Sequence, residues 1–298
     1  MCDNVGIMSR KTLVLPEQNI DDRVKQAGGL ITDQGIADVL DINNLDETQM
    51  KQCRDLLSSM KRYSTASSDE IDALMGDELV LGALSVKVGI ADGMIAGAVR
   101  DTSDVLRAGL RIIGVKKGVK LVSSSFLMKS DTGEDMIFAD CAVNPDPDAE
   151  GLAQIAADSA VTAQMFGLEP RVAMLSFATG DRAKHPKVDK VVQATALLMQ
   201  KMPDLLVAGP VQFDAALLPS IASKKGVESF EGKPANVYVF PDLDSGNIGY
   251  KIAQRLGGLE AIGPILQGFA KPINDLSRGC SVDDIVSLAE ITVSQTEQ

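Results

Sequence analysis

The residues best suited to chemistry lie close together near the end of the chain. Ser277, Arg278 and Gly279 are followed within five residues by Asp283 and Asp284, in the string NDLSRGCSVDDI. A glycine-containing turn that leads into a helix N-terminus presents free backbone N–H groups, which bind anions. The arginine adds a forked, permanent positive charge that matches phosphate geometry. A carboxylate held nearby is suited to act as a general base.

The same string also has a purely structural interpretation. Ser281 and Asp284 have the spacing of a capping box, with Ser281 as the N-cap and Asp284 at the third helical position, where Glu or Gln is commoner. Acidic residues in a first turn also suit the helix dipole. The two interpretations are compatible, because a carboxylate in the first turn is well placed both to cap the helix and to react.

Other candidate segments are loops and isolated basic residues. Pro241–Asn247 lies between a predicted strand and a predicted helix, and Ser176–Pro186 follows a predicted strand. Loops at the carboxyl ends of strands bind ligands in α/β proteins, although each could equally be a plain surface loop. Arg107 and Arg255 lie on predicted helices, where most arginines are solvated or paired. His185 precedes a proline, and we interpret it as a positioned loop residue rather than a catalytic one.

Strands that alternate with helices must carry these segments. Apolar runs predict strands at 12–15, 84–89, 118–128, 136–143, 172–177, 205–211 and 235–240. Helical periodicity predicts helices at 101–113, 148–167, 188–202 and 247–258. The runs 118–128 and 136–143 are expected to form a hairpin, and Thr102 or Ser103 is expected to cap the helix at 101–113. The alternation predicts α/β layers with a largely parallel sheet.

The composition is that of a folded protein that does not bind nucleic acid in general. The 298 residues suffice for one large or two ordinary domains. Apolar residues make up 45 % and charged residues 23 %, a mixture typical of globular domains. The net charge of −12 argues against a nucleic-acid partner, because phosphate contacts need a basic face. A few local arginines can still hold a small anionic ligand.

The N-terminus and the cysteines favour a cytoplasmic protein without a metal site. No apolar run is long enough to span a bilayer, and the first residues lack the apolar core of a signal peptide. The four cysteines show no CxxC or CxxH spacing, and His185 is the only histidine. We therefore expect reduced thiols, no metal site and no membrane partner.

Long strings resemble one enzyme family. They include FADCAVNPDPDAEGLAQIAADSA, VQFDAALLPSIASKK, ANVYVFPDLDSGNIGYKIAQRLGG and AIGPILQGFAKPINDLSRGCSVDDIV. From about Thr12 to Thr296 the chain resembles the phosphate acetyltransferase (phosphotransacetylase) or phosphate acyltransferase family. The resemblance implies a reversible reaction in which acetyl phosphate and coenzyme A give acetyl-CoA and phosphate. Coenzyme A would be a substrate, and no tightly bound cofactor is implied.

The resemblance also implies roles for individual residues. Asp284 would take the thiol proton of coenzyme A, while Ser277 and Arg278 would orient the acyl phosphate and stabilise its developing charge. Arg255 and Arg107 would bind the anionic phosphate or its carbonyl neighbour.

One further basic position is implied upstream. The family has a string of the form LRKHKG whose arginine belongs to the coenzyme A or phosphate site. Here the string is MKRYS, so Lys61 or Arg62 would take that place.

The chain departs from the family in ways that leave alternatives open. The loop Ala178–Arg182 replaces a serine and a lysine and adds an acid, and Arg100 stands where a histidine is expected. The acyl group could therefore be propionyl or butyryl instead of acetyl. A catalytically weak homologue that serves as a coenzyme A-binding or assembly protein is a third alternative.

The resemblance finally implies an architecture. We expect two three-layer α/β domains with a cleft between them, similar to isocitrate and isopropylmalate dehydrogenases. The first domain would contain residues 1–118 plus about 275–298, and the second would contain 119–274. The resemblance also implies a homodimer.

Overall fold

The computed structural model describes residues 10–131, 133–180, 183–227, 230 and 232–297. Contacts within the chain define two units. The first contains the described residues up to Gly114 and those from Phe269 onward, and the second is Val115–Gly268. Whether these units are independently folding domains is not tested by the contacts, so the expected domain borders at 118 and 275 stay predictions.

The described residues contain strands and helices in regular alternation. The strands are β1 (Thr12–Val14), β2 (Asp38–Leu40), β3 (Gly93–Ala96), β4 (Ser123–Lys129), β5 (Met136–Ala139), β6 (Arg171–Leu175), β7 (Leu206–Val211), β8 (Val237–Val239), β9 (Glu260–Gln267) and β10 (Ile273–Asp275). The helices are α1 (Asp22–Asp33), α2 (Glu47–Ser59), α3 (Ser68–Met75), α4 (Glu78–Val88), α5 (Thr102–Ala108), α6 (Ala149–Met165), α7 (Pro186–Lys201), α8 (Phe213–Leu217), α9 (Pro219–Lys225), α10 (Leu243–Arg255) and α11 (Val282–Gln295). Short 3-10 helices cover Pro16–Asn19, Ile42–Asn44 and Lys61–Tyr63, and a π-helical turn covers Gly109–Ile113.

The first unit is built on a four-stranded parallel sheet. Its strand order is β10-β3-β1-β2, with Ile273 opposite Met94 and Leu13 opposite Gly93. Helices α1 and α11 contact each other and the strands, while α4 contacts β1, β3 and helices α2, α3 and α5. Because all four strands are parallel, the loops after β1, β3 and β10 meet at one edge of the sheet, which is where α/β proteins bind ligands.

Helix α4 overturns one sequence-based prediction. The run 84–89 was expected to be a strand, but it is the second half of a helix that begins after Asp77. Residues on nearly every side of α4 are buried, so its sequence lacks the polar stripe that marks a surface helix. The terminal signals are clear: the Asp77 carboxylate accepts from Leu79 N at 2.9 Å, and Gly89 closes the helix at φ 92°.

The second unit is built on a six-stranded mixed sheet of order β7-β6-β8-β5-β4-β9. Strands β7, β6, β8 and β5 are parallel, and β4 is antiparallel to both β5 and β9. The predicted hairpin between the runs 118–128 and 136–143 is confirmed as β4 and β5. Helices α6 and α7 contact each other and the sheet; α8 contacts β6 and β7, and α10 contacts β4, β5 and β9.

Aromatic rings fill part of the core of the second unit. Phe138 lies at the centre of this group, with its ring centroid 5.3 Å from the rings of Tyr238 and Phe240. Edge and tilted contacts of this kind add to the stability that burial provides. The predicted α/β class is confirmed, because helices pack against the strands of both sheets.

Candidate active site

The Ser277–Cys280 turn directly follows β10. Cys280 N donates to Ser277 O at 2.9 Å and Gly279 N donates to Ser277 Oγ at 3.3 Å, so the side chain of Ser277 helps to shape the turn. Ser277, Arg278 and Gly279 are exposed, whereas Cys280 is buried. The turn therefore presents a hydroxyl and a guanidinium to solvent at the carboxyl edge of the first sheet.

Helix α11 starts with the predicted capping box, which the structure confirms. Asp284 N donates to Ser281 Oγ at 3.1 Å, and Ser281 N donates to Asp284 Oδ2 at 2.8 Å. The side chain of Asp284 is exposed. Its Oδ1 atom forms no hydrogen bond with any residue that the structure describes. One oxygen of this carboxylate is thus used for capping, and the other is left for a ligand or a proton.

The guanidinium of Arg278 lies against an acid from another loop. Its Nη1 atom is 2.9 Å from Asp101 Oδ1, and the two side chains are 73 % and 61 % exposed. Asp101 is the N-cap residue of α5, in place of the expected Thr102 or Ser103. Its side chain makes no capping hydrogen bond and pairs with Arg278 instead. The loop after β3 and the turn after β10 therefore meet at this ion pair.

The remaining basic candidates are more scattered. Arg107 lies on α5 and pairs with Asp104 one turn earlier on the same helix. Lys61 and Arg62 lie in a short 3-10 helix, and their exposed side chains pair with no other described residue. Arg255 is the last residue of α10 in the second unit and is exposed. Ser277, Arg278 and Asp284 lie within eight residues of one another in the first unit, on the turn after β10 and in the first turn of α11.

A buried acid that the sequence reading missed organises the loop after β3. The Glu17 side chain is 1 % exposed and its carboxylate accepts four backbone N–H bonds of 2.8–3.0 Å from Gly97–Arg100. Gly97 is the first residue of that loop and has φ 112°, a conformation that favours glycine. This loop leads directly to Asp101, so Glu17 fixes the chain that carries the partner of Arg278.

A second buried acid lies under the site. Asp275, the last residue of β10, is 1 % exposed; Thr102 Oγ1 donates to its Oδ2 at 2.6 Å. Its buried Oδ1 forms no hydrogen bond with a described residue. Burial raises the pKa of Asp275 to about 7, and the nearby Glu17 charge adds to this effect, while the bond from Thr102 opposes it.

A third feature missed from the sequence is the guanidinium of Arg23. It is held by Asp21, which caps α1, and it contacts the backbone of both site loops. The hydrogen bond from Arg23 holds the pKa of Asp21 below its usual value, so this carboxylate stays ionised. No local pattern marks Arg23, because its partners Arg278 and Cys280 lie 255 and 257 residues away.

The loops of the second unit are fixed by capping and by one buried acid. Asp242 is the N-cap of α10, and its side chain accepts from Ser245 N at 3.0 Å. His185 caps α7, with its Nδ1 atom accepting from Lys187 N at 3.1 Å. Asp140 is buried in the loop after β5. The departures expected at residues 181 and 182 lie outside the described residues.

The described residues contain neither a membrane-spanning helix nor a cluster of metal ligands. No helix among them is both long and apolar enough to cross a bilayer. No group of three or more histidine, cysteine, aspartate or glutamate side chains among them could hold a metal ion.

Comparison with known proteins places the chain in a family of acyltransferases. The model of the family described as phosphate acetyl/butaryl transferase matches residues 4–293. The chain belongs to this family, which confirms the resemblance drawn from the sequence.

The relatives agree in both sequence and structure. A phosphate acetyltransferase of Bacillus subtilis (strain 168) is 42 % identical over 95 % of this chain and 94 % of its own length. A phosphotransacetylase crystal structure from Streptococcus pyogenes superposes with a TM-score of 0.90 at 41 % identity, over 97 % of this chain and 94 % of that one.

A more distant structure has a similar fold. A branched-chain phosphotransacylase from Enterococcus faecalis V583 superposes with a TM-score of 0.71 at 20 % identity, covering 97 % of this chain and 99 % of that one. The relatives at 41–42 % identity are acyltransferases, which favours an enzyme over the non-enzymatic alternative.

Proposed function

We propose that this protein is a phosphate acetyltransferase that moves an acetyl group reversibly between acetyl phosphate and coenzyme A. The observation that carries this proposal is the arrangement after β10. Within eight residues, Ser277 and Arg278 stand in an exposed turn, and Asp284 stands in the first turn of α11 with its Oδ1 atom free of described partners. The names of the relatives at 41–46 % identity support the acetyl group.

The chemistry begins with the thiol of coenzyme A. A free thiol has a pKa of about 8.5, so it is mostly protonated at neutral pH, and the thiolate is the form that attacks. Asp284 removes the proton as the sulfur attacks the carbonyl carbon of acetyl phosphate. The C–S bond forms, the bond between that carbon and the phosphate oxygen breaks, and phosphate leaves with the electron pair.

The capping box makes Asp284 suitable for this proton transfer. Because Oδ2 accepts from Ser281 N, the carboxylate cannot rotate freely, and Oδ1 is the oxygen left for the proton. When Asp284 is protonated, the hydrogen resides on Oδ1 while Oδ2 continues to accept from the backbone. The base therefore gains and loses its proton without disturbing the start of α11.

Arg278 is suited to hold the reacting anion. Its pairing with Asp101 is exposed on both sides, and such pairs contribute only about 0–1 kcal/mol. An incoming phosphate with two negative charges can therefore displace Asp101 from the guanidinium at little cost. Ser277 Oγ supplies a further hydrogen bond to the acyl phosphate. Fixed donors of this kind typically lower a barrier by about 3–4 kcal/mol each.

The other basic residues are assigned to anion binding. Arg107 and Arg255 are proposed to bind phosphate groups of the substrates, and Lys61 or Arg62 to replace the upstream arginine of the family. Arg107 also pairs with a carboxylate, that of Asp104, whose side chain is 28 % exposed. Coenzyme A enters and leaves as a substrate, and no step uses a metal ion or a tightly bound cofactor.

The proposal is tested by following thioester formation spectroscopically with acetyl phosphate and coenzyme A. We expect turnover that is unchanged by a chelator such as EDTA. Absence of thioester formation at saturating substrates would contradict the function, and loss of turnover with EDTA that added metal restores would contradict the metal-independent chemistry.

A second candidate is transfer of a longer acyl group, because the family description includes butaryl as well as acetyl transfer. Acetyl, propionyl and butyryl phosphate should be compared by kcat/KM. We expect acetyl phosphate to be preferred; one methylene group changes discrimination by about 1–3 kcal/mol. A higher kcat/KM for butyryl phosphate would replace the acetyl assignment.

We also propose a cytoplasmic homodimer. Ile248, Ile252 and Leu256 form an exposed apolar stripe along α10, with exposures of 57 %, 54 % and 86 %. A second copy of the chain would cover such a stripe. Sedimentation equilibrium is expected to give twice the mass of the chain, and a monomer at assay concentration would contradict the dimer.

The cysteines support the cytoplasmic location. Cys53, Cys141 and Cys280 are free and buried, as in a reducing compartment.

A further inference from the structure

The guanidinium of Arg23 uses every donor that it has. It donates from Nε to Asp21 Oδ1 at 3.1 Å and from Nη2 to Asp21 Oδ2 at 2.8 Å. Its remaining hydrogens go to three backbone carbonyls: Arg278 O and Cys280 O at 2.9 Å each, and Ala98 O at 3.1 Å. A guanidinium has five N–H donors, so none is left for a substrate.

The three carbonyls that Arg23 binds belong to the two loops that form the site. Arg278 and Cys280 lie on either side of Gly279 in the turn after β10. Ala98 lies in the loop after β3, three residues before Asp101, the partner of Arg278. One nitrogen, Nη1, binds both carbonyls of the turn, which fixes its curvature, and Nη2 ties that turn to the neighbouring loop.

Without Arg23 these carbonyls would have no comparable partner. Cys280 is 6 % exposed and Ala98 is 3 % exposed, so water has little access to either residue. Unpaired buried carbonyls are unfavourable, and the chain would move to regain hydrogen bonds. The movement would displace Arg278, and it would also displace Ser281, which starts α11 and orients Asp284.

We propose that Arg23 is a positioning residue for acyl transfer: its guanidinium sets the Ser277–Ser281 turn and the loop at Ala98 in the geometry that brings Arg278 and Asp284 to the reaction, without touching the substrate. This rests on the proposed function for its effect on rate. Asp21 orients Arg23 in this arrangement, because it caps α1 and accepts hydrogen bonds from the guanidinium through both carboxylate oxygens.

Lysine cannot reproduce this arrangement. Its ammonium group is a compact point charge with three donors, so it cannot bind both oxygens of Asp21 and three separate carbonyls at once. Arg23→Lys thus keeps the charge and removes the geometry. Arg10 offers a matched control in the same unit, since it also binds an acid, Asp38, and a carbonyl, that of Thr32, away from the turn.

The kinetic test compares Arg23→Lys with Arg10→Lys. Because small displacements of reacting groups cost up to about a hundredfold in rate, we expect kcat to fall about 10- to 100-fold in Arg23→Lys. The KM for coenzyme A should change less than about threefold, because Arg23 binds no substrate. Arg10→Lys should keep kcat within about twofold. Equal kcat in the two variants, or a change confined to KM, would overturn the positioning role.

A second measurement is independent of activity. Hydrogen exchange of the peptide that covers residues 277–284 should be faster in Arg23→Lys than in wild type, and unchanged in Arg10→Lys. Asp21→Asn should give a smaller change in the same peptide. If wild type forms no thioester, the proposed function fails while this exchange result still tests the contact network. Unchanged exchange in both Arg23→Lys and Asp21→Asn would overturn the inference even in an active enzyme.

Discussion

Glu17 of the first unit and Asp140 of the second are both buried acids that accept N–H bonds from a loop following a strand. Glu17 binds Gly97–Arg100, which lie 80 to 83 residues further along the chain. Asp140 binds Ala142–Asn144, two to four residues away in its own loop, together with Ser124 of the adjacent strand. One loop is therefore shaped by a distant segment, and the other largely by itself.

The difference shows what the candidate site depends on. In the first unit, the turn that carries Arg278 is held by Arg23, and the loop that carries Asp101 is held by Glu17. Glu17 and Arg23 both lie shortly after β1, Glu17 in the 3-10 helix Pro16–Asn19 and Arg23 in the first turn of α1. The site at the carboxyl edge of this sheet is thus assembled from three segments far apart in sequence, so it should be more sensitive to single changes than the loop after β5.

Glu17→Gln is expected to be the most destabilising of the changes that test this comparison. The amide can accept from only one pair of the four N–H groups and turns its own donors toward the other pair. Each buried donor left without an acceptor costs about 1–3 kcal/mol, so we expect the free energy of unfolding to fall by about 3 kcal/mol. Chemical denaturation measures this fall, with the exposed Glu47→Gln as control. A change equal to that control would show that Glu17 does not hold the loop.

Asp140→Asn should destabilise less, by about 2 kcal/mol. An amide nitrogen at the Oδ2 position of Asp140 faces one backbone donor, Asn144 N, and the Asn144 side chain, which can rotate. The amide nitrogen of Glu17→Gln faces two backbone donors instead. Asp146→Asn in the same loop is the control, since that side chain is 83 % exposed. A loss larger than that of Glu17→Gln would reverse the comparison between the two loops.

Asp275→Asn tests the buried acid beneath the site through pH. The pKa of Asp275 is raised to about 7 by burial, above the usual value of 3.8, so between these pH values the folded state binds more protons than the unfolded state. The contribution of Asp275 to stability is therefore full below about pH 4 and declines as pH rises toward 7. Asn does not titrate, so the variant lacks this decline.

The corresponding measurement is denaturation of both proteins at several pH values. From pH 4 to pH 8, wild type should lose stability relative to Asp275→Asn, by at most about 1.4 kcal/mol per pH unit. Parallel stability profiles for the two proteins would show that Asp275 is ionised throughout this range.

Asp101→Asn should have the smallest effect. Its pairing with Arg278 is exposed and it makes no capping bond, so stability should change by less than about 0.5 kcal/mol. Because the variant no longer competes with substrate for the guanidinium, the KM for acetyl phosphate should fall, by up to about fivefold. Steady-state kinetics measures this KM, with Asp69→Asn as the control. A raised KM for acetyl phosphate would mean that Asp101 assists substrate binding.

The local features of the site could be predicted from sequence, whereas its long-range contacts could not. The capping box of Ser281 and Asp284 and the hairpin of β4 and β5 follow from spacing and alternation over a few residues. Helix α4 was wrongly predicted as a strand in part, because burial on nearly every side removes its amphipathic pattern. Glu17 and Arg23 carry no local signal at all, since their partners are set by the folding of separate segments onto one sheet.

The central claim is that Asp284 takes the proton from the thiol of coenzyme A. The most direct measurement is kcat for thioester formation in Asp284→Asn beside Asp283→Asn, its exposed neighbour in the same first turn. Asn keeps the size and the cap oxygen but cannot accept the proton, so kcat should fall roughly 10²- to 10⁴-fold, with Asp283→Asn near wild type. Near wild-type kcat in Asp284→Asn at saturating substrates would show that this carboxylate is not the base.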